Sequence, residues 1–319
     1  MERTNPWETK LRWLVPLAIV ALAAFFRLYR LAEVPPAFNF DEAAHAVDAV
    51  EILNGDLKVF SDKIGGVEAF VMYLYAAAFA LLGRDPVVQR LVTAIFAIAT
   101  VGMTYLMVCE MFISELAWRR WWMAALTVLG LATSFWHVAY SRIGLEVAIL
   151  PFFIACSFYF FWRGLHSGRG SNYVFSGLGL GLAAHVYLPG RFLPAVVVLF
   201  VVACWCLTEL FGDREGKLLR RPWMGLFITG VTAFVVYMPL VIYFLLHPAD
   251  FFGRASATSI FHPSINQGDF WGTLWRSVVG TFGAYGFVGD SNWLANLPGR
   301  PILNPVMAGL FWLGVLAAI

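Results

Sequence analysis

The stretch Pro35-Pro36-Ala37-Phe38-Asn39-Phe40-Asp41-Glu42-Ala43-Ala44-His45 decides how this chain is read. It follows directly on an apolar run of membrane length, residues 13–30, and brings two adjacent carboxylates to the membrane surface. The prolines cannot extend the preceding helix and favour an extended exit. Asn39 then reads as an N-cap, with Glu42 three residues on as its capping-box partner. The spacing predicts a helix over about residues 40–53 with Asp41, His45 and Asp48 on one face. Ala46, Val50 and Leu53 fall on an apolar face, so this helix is expected to lie along the membrane. Asp41 and Glu42 would complement the helix dipole in any case. The rest of the chain argues for more.

Hydrophobic residues make up 60% of the 319 residues, charged residues only 13%, and the mean hydropathy is +0.73. A soluble chain carries about 25% charged residues, so the composition is that of an all-α, polytopic membrane protein. The net charge of +2, with its basic residues at span ends, leaves no footprint for nucleic acid. Cys109, Cys156, Cys204 and Cys206 all fall inside apolar runs and read as small buried hydrophobes, neither disulfides nor metal ligands. No small-residue cleavage site follows the first run, so an uncleaved span is expected there. The final run, 302–319, stops abruptly, so residues 1–319 are expected to be one transmembrane domain truncated at its C-terminus.

Further runs of membrane length are 91–112, 121–140, 147–162, 173–188, 192–211 and 223–246, and topology turns on whether 67–82 also crosses. If it crosses, Arg119, Arg120, Arg163, Arg169, Arg214, Lys217, Arg220 and Arg221 lie outside, and Arg84, Arg90, Arg142 and Arg191 inside. The positive-inside rule favours the reverse, with 67–82 lying in the interface or re-entering. Asp41, Glu68, Arg90, Glu146, Tyr187 and Arg191 then share the extracytoplasmic face. They are joined there by a first loop of about residues 33–90 and a long loop of about 248–300.

Glu146 opens an apolar helix, where an ionisable residue is costly and marks a functional site, although an i,i+4 pair with Arg142 would also explain it. Glu68 reaches the interface, and Arg90 starts its span where it can meet a lipid headgroup or a substrate phosphate. Tyr187-Leu188-Pro189-Gly190-Arg191 is a tight turn that delivers Tyr187 and Arg191 to the acidic face. Asp41, His45 and Asp48 leave a divalent metal open, although no further ligand is fixed by spacing. Gly177, Gly179 and Gly181 sit mid-span, where Gly177-x-x-x-Gly181 permits close helix packing. No Walker sequence, nucleophile elbow or soluble nucleotide-binding unit is present. An enzyme of this layout takes a substrate already in the membrane, such as a polyprenyl-phosphate-linked sugar. One carboxylate then accepts the acceptor's proton, and cations stabilise the departing phosphate.

With these residues assembled, the chain resembles the C-type-fold glycosyltransferases that use lipid-phosphate sugars. Its kin look like bacterial relatives of the dolichyl-phosphate-mannose–protein mannosyltransferases and of the aminoarabinose transferase of lipid A. The resemblance rests on Phe40-Asp41-Glu42, Gly66-Val67-Glu68-Ala69-Phe70-Val71-Met72-Tyr73, Arg90-Leu91-Val92-Thr93-Ala94, Tyr140-Ser141-Arg142 with Glu146, and Gly289-Asp290-Ser291-Asn292 with Pro298-Gly299-Arg300-Pro301. It implies that Asp41 is the catalytic base, with Glu42 beside it and Glu146 facing the same cavity. It also implies surface-lying helices in the first loop, a lipid-linked sugar donor and an extracytoplasmic acceptor. The chain departs from the family in two places. Glu68-Ala69 stands where many members have a lysine contacting the lipid phosphate, so Lys63, Arg191, Arg254 and Arg300 are the candidate replacements. His45 stands where an aromatic residue usually follows the Asp-Glu pair. Two rivals remain open at this level: a flippase or transporter of a lipid-linked substrate gated by Glu146 and Arg142, and a non-catalytic assembly subunit.

Overall fold

Among the described residues, proline opens several of the helices and glycine closes two. Pro86, Pro222, Pro248, Pro263 and Pro305 each stand at a helix start, where the missing N–H costs nothing. Gly83 (φ 96°) and Gly168 (φ 68°) end helices in backbone conformations that side chains rarely adopt. The computed structural model describes residues 6–211, 222–291 and 296–318. Arg214, Lys217, Arg220, Arg221 and Asn292 therefore lie outside the described residues, as do the side chains of Cys204 and Arg254.

Among the described residues the fold is all-α apart from one hairpin of two-residue strands. In chain order it contains α1 (Pro6–Leu28), α2 (Phe40–Leu53), β1 (Phe60–Ser61), β2 (Val67–Glu68) and α3 (Phe70–Leu82). There follow α4 (Pro86–Met111), α5 (Ala117–Thr133), α6 (Phe135–Ser141), a 3₁₀ turn at Glu146–Ala148, α7 (Leu150–Ser167) and α8 (Gly170–Val186). A second 3₁₀ turn, Leu188–Phe192, leads into α9 (Leu193–Phe211) and α10 (Pro222–Leu246). The chain ends with α11 (Pro248–Thr258), α12 (Pro263–Asn266), α13 (Phe270–Ala284) and α14 (Pro305–Ala318). The antiparallel hairpin pairs Phe60 with Glu68 and Ser61 with Val67.

Helices α4 and α10 and the run Glu146–Ser167 are each long and apolar enough to cross a membrane, and the protein is a multi-pass membrane protein. The 13 residues of α3 span only about 20 Å, short of the roughly 30 Å hydrocarbon core. Its Val71, Met72, Tyr75, Ala76 and Phe79 are buried, and it packs on α2 and α4. Two expectations change. The run 121–140 is not one helix but the pair α5 and α6, bent by 57° at Ser134, whose backbone is extended (ψ 122°). The connection 248–300 is largely helical, because Pro248, Pro263 and Asp269 each supply a helix start.

Helix α4 packs on α1, α3, α5 and α7, and α8 is sandwiched between α7 and α10. The glycines of α8 make that sandwich possible. A Cβ on Gly177 would come within 2.5 Å of Thr229 O, and one on Gly181 within 2.6 Å of Val236 Cβ, both on α10. On Gly179 it would meet Ser157 N of α7 at 3.0 Å. Small residues thus serve two interfaces of one helix. Gly181→Val is expected to cost about 1–3 kcal/mol by overpacking. Gly230→Ala, whose Cβ would meet nothing within 4 Å, is expected to leave the melting temperature unchanged or raised. Thermal melts of both variants in detergent check this.

Candidate active site

The start of α2 is built as its sequence requires. Asn39 Oδ1 accepts from Asp41 N at 3.1 Å, and Glu42 Oε2 accepts from Asn39 N at 3.0 Å. Glu42 then does more than cap. Its Oε1 also accepts from Gly144 N at 2.7 Å, and Arg90 donates through Nε (3.0 Å) and Nη2 (3.1 Å) to its two oxygens. The carboxylate is fully buried. Arg90 gives its remaining bonds to Pro35 O (2.8 Å) and Ala37 O (2.7 Å). Gln89 Nε2 joins Glu42 O to Gly144 O, at 3.1 and 2.8 Å. Both residues were expected to face substrate, Glu42 in catalysis and Arg90 at a phosphate. Their polar atoms are instead used to tie α2 and the loop at Gly144 to α4.

Asp41 is placed differently. It is half-buried, and among the described residues no hydrogen bond or ion pair engages its carboxylate. It lines a cavity of about 1050 Å³, together with His45, Glu146 and Tyr187. His45 Nε2 stands 3.5 Å from Glu146 Oε2, and both side chains are buried. Four of the nine residues singled out for the site (Asp41, His45, Glu146 and Tyr187) therefore meet around one cavity.

The others are engaged elsewhere. Lys63 Nζ lies 2.9 Å from Asp48 Oδ1 and 2.7 Å from Glu51 Oε2, and Lys58 Nζ binds the same pair at 3.2 and 2.7 Å. These contacts fasten the hairpin to α2 and take up one oxygen of Asp48. Among the described residues no group of three or more His, Cys, Asp or Glu is arranged to hold a metal ion. Glu68 Oε1 accepts from Arg191 Nη2 at 2.5 Å, and the guanidinium lies over the rings of Phe244 (4.6 Å) and Phe251 (5.6 Å). Arg142 is not the partner of Glu146 that their spacing suggested. Its guanidinium donates to the carbonyls of Phe26, Arg27, Tyr29, Arg30 and Val34, five acceptors at and beyond the end of α1, at 2.8–3.1 Å. Sequence reading missed Trp136 and His137, which also line the cavity. The polar start that Ser134 gives α6 within an apolar run was the available signal.

Solved structures of membrane glycosyltransferases match this bundle of apolar helices. The protein O-mannosyltransferase Pmt1-Pmt2 complex of S. cerevisiae, bound to the sugar donor, matches with TM-score 0.57 at 21% identity over 75% of this chain and 34% of that one. The archaeal oligosaccharyltransferase AglB from Archaeoglobus fulgidus, in complex with an inhibitory peptide and a dolichol-phosphate, matches with TM-score 0.61 at 12% identity, covering 98% of this chain and 38% of that one. ArnT from Cupriavidus metallidurans, bound to undecaprenyl phosphate, gives 0.51 at 16% identity, covering 86% and 50%. At these identities the likeness is one of fold, and the chain spans between 34% and 50% of each of these proteins. No curated protein matches the chain by sequence. Residues 63–252, more than half of the chain, match the dolichyl-phosphate-mannose-protein mannosyltransferase family, and the chain belongs to that family. Asp41 and Glu42 precede the matched stretch.

Two expectations follow. Arg90→Met strands a buried carboxylate and is expected to destabilise the protein by about 3–5 kcal/mol, seen as a large fall in melting temperature. Lost turnover with an unchanged melt would instead return Arg90 to the substrate. The second concerns pH. Hydrogen bonds from Lys58 and Lys63 hold the Glu51 carboxyl down to about 2, from an ordinary 4.5. Burial opposes the charge of both lysines, but their hydrogen bonds to Glu51 and Asp48 outweigh it and raise them above 10.5. The carboxylate's contribution is complete above about pH 4.5 and lost as pH falls toward 2; that of the lysines is complete below about 10.5 and lost above it. Glu51→Gln is therefore expected to lower the melting temperature at pH 7 and to flatten its fall in acid, read from melts across that range.

Proposed function

We propose that this chain is the catalytic part of an inverting glycosyltransferase. It moves a sugar from a polyprenyl-phosphate carrier to a hydroxyl or other nucleophile of an extracytoplasmic acceptor. The observation that carries this is the Asp41 carboxylate, unengaged among the described residues on the wall of a cavity of about 1050 Å³, beside neighbours whose charges are otherwise used. Asp41 accepts the acceptor's proton as the acceptor oxygen attacks the anomeric carbon. The bond from that carbon to the phosphate oxygen breaks, and its electron pair leaves with the polyprenyl phosphate. One displacement inverts the anomeric centre. Glu146 and His45, paired in the wall, orient the acceptor, and Tyr187 adds a hydroxyl to the same wall.

The leaving phosphate needs a cation. Lys63 and Arg191 are already paired with carboxylates. Arg300 has no carboxylate partner among the described residues, and its guanidinium stacks 3.9 Å from the Phe135 ring centroid. It stands two and three residues ahead of Ile302 and Leu303 of the cavity wall, and we assign it to the phosphate. The flippase reading loses its gating pair, because Arg142 is committed to α1.

Purified protein supplied with radiolabelled polyprenyl-phosphate sugars tests the assignment. Asp41→Asn is expected to lower transfer by at least about a hundredfold with an unchanged melt. Undiminished transfer would remove Asp41 as the base, and a chelator arm reports whether a divalent metal takes part.

A further inference from the structure

We propose that His137 is a fixed, uncharged hydrogen-bond donor of this cavity, whose Nε2–H takes an oxygen of the bound lipid-phosphate sugar. Arg27 sets the arrangement. This arginine of α1 is fully buried, and its Nη2 lies 2.6 Å from His137 Nδ1. Its other bonds go to Ala23 O (3.0 Å), Ala132 O (3.1 Å) and Leu131 O (3.4 Å). A guanidinium only donates, so Nδ1 must accept and carries no proton. An imidazolium would put two N–H donors and two positive charges face to face. The ring is therefore neutral with its proton on Nε2, and Arg27 makes that tautomer obligatory.

Nε2 is closed to solvent and has no hydrogen-bond partner in the protein among the described residues. The same is true of Nε1 of Trp136, the preceding residue, and both residues line the cavity that Asp41 lines. Two adjacent buried donors without protein acceptors, on residues that line a cavity, call for a ligand rich in oxygen acceptors. Sugar hydroxyls and phosphate oxygens share that chemistry. A neutral donor suits this wall, because it adds no charge to offset the carboxylates of Asp41 and Glu146. The same arginine accepts the task of ending α5: it takes the carbonyls freed at the bend and thereby sets the helix that carries His137. The donor has this role only if the cavity takes the lipid-phosphate sugar proposed above.

Binding by the full chain of two probes, undecaprenyl phosphate and its mannosylated form, tests the donor. His137→Asn keeps an oxygen for Arg27 but has no N–H at the Nε2 position, whereas His137→Gln restores an amide there. The Asn variant is expected to bind about five- to tenfold more weakly, with most of the loss recovered by Gln. Weakening of both probes assigns the oxygen to phosphate, and weakening of the mannosylated probe alone assigns it to the sugar. Equal binding of both probes by wild type and His137→Asn overturns the donor and leaves the transferase standing. Wild type that holds neither probe overturns both. Histidine-selective ¹⁵N spectra of the unliganded wild type are an independent readout: His137 should show a bare Nδ1 and a protonated Nε2, and an Nδ1–H or imidazolium signature refutes the proposal without any variant.

Discussion

One buried carboxylate holds the site in register. Glu42 has no exposed surface, and withdrawing a carboxylate from water costs several kcal/mol unless its lone pairs are taken up. Here they are, by the N–H groups of Asn39 and Gly144 and by two nitrogens of Arg90. Each donor belongs to a different part of the chain: the cap of α2, the loop after α6, and the first turns of α4. Moving any of them strands the charge. The placement of Asp41 follows from that of Glu42. Successive residues of a helix point about 100° apart. With Glu42 turned into the protein, its neighbour faces the cavity, and His45, one turn further on, lies on the same side and reaches Glu146.

The same economy of charge governs the broken helices. A helix that stops inside or near an apolar layer leaves carbonyls that need partners. α1 stops at Leu28 and α5 at Thr133, and an arginine from elsewhere in the chain meets each end. Arg142 gathers the carbonyls at the end of α1, and Arg27 those at the end of α5. A guanidinium suits the task because its donors are several, planar and fixed in direction. The two contacts are mutual: the arginine of α1 closes α5, and the arginine that follows α6 closes α1. The bent helix pair beside the cavity is thereby tied to α1 from both sides.

What could be read from the sequence was what depends on near neighbours. The capping box of Asn39 and Glu42, the helix from Phe40 to Leu53 and the packing role of Gly177 and Gly181 are all set within one or two helical turns. The partners of the charged residues are not. Arg142 meets carbonyls 108–116 positions away, Arg90 meets Glu42 at a separation of 48, and Arg191 meets Glu68 at 123. Spacing offers Arg142 a nearer partner in Glu146 and leaves Arg90 for a ligand, and folding overrides both. The bend at Ser134 was hidden for a related reason, since a buried arginine from another helix offsets the loss of helical hydrogen bonds there.

The distribution of cations bears on what Asp41 can do. A carboxylate clasped by an arginine has its lone pairs occupied and is a poor place to put a proton. Four cations whose charge might have reached the acidic face (Lys63, Arg90, Arg142 and Arg191) are each bound to another carboxylate or to backbone oxygens. Asp41 is the acidic residue of the cavity that the fold leaves unclasped among the described residues. A site that accepts a proton at one point and releases a phosphate at another has to keep its base and its cations apart. Under the assignment proposed above, base and cations are kept apart because Arg27, Arg90, Arg142 and Arg191 are given structural work, with neutral donors on the α6 wall.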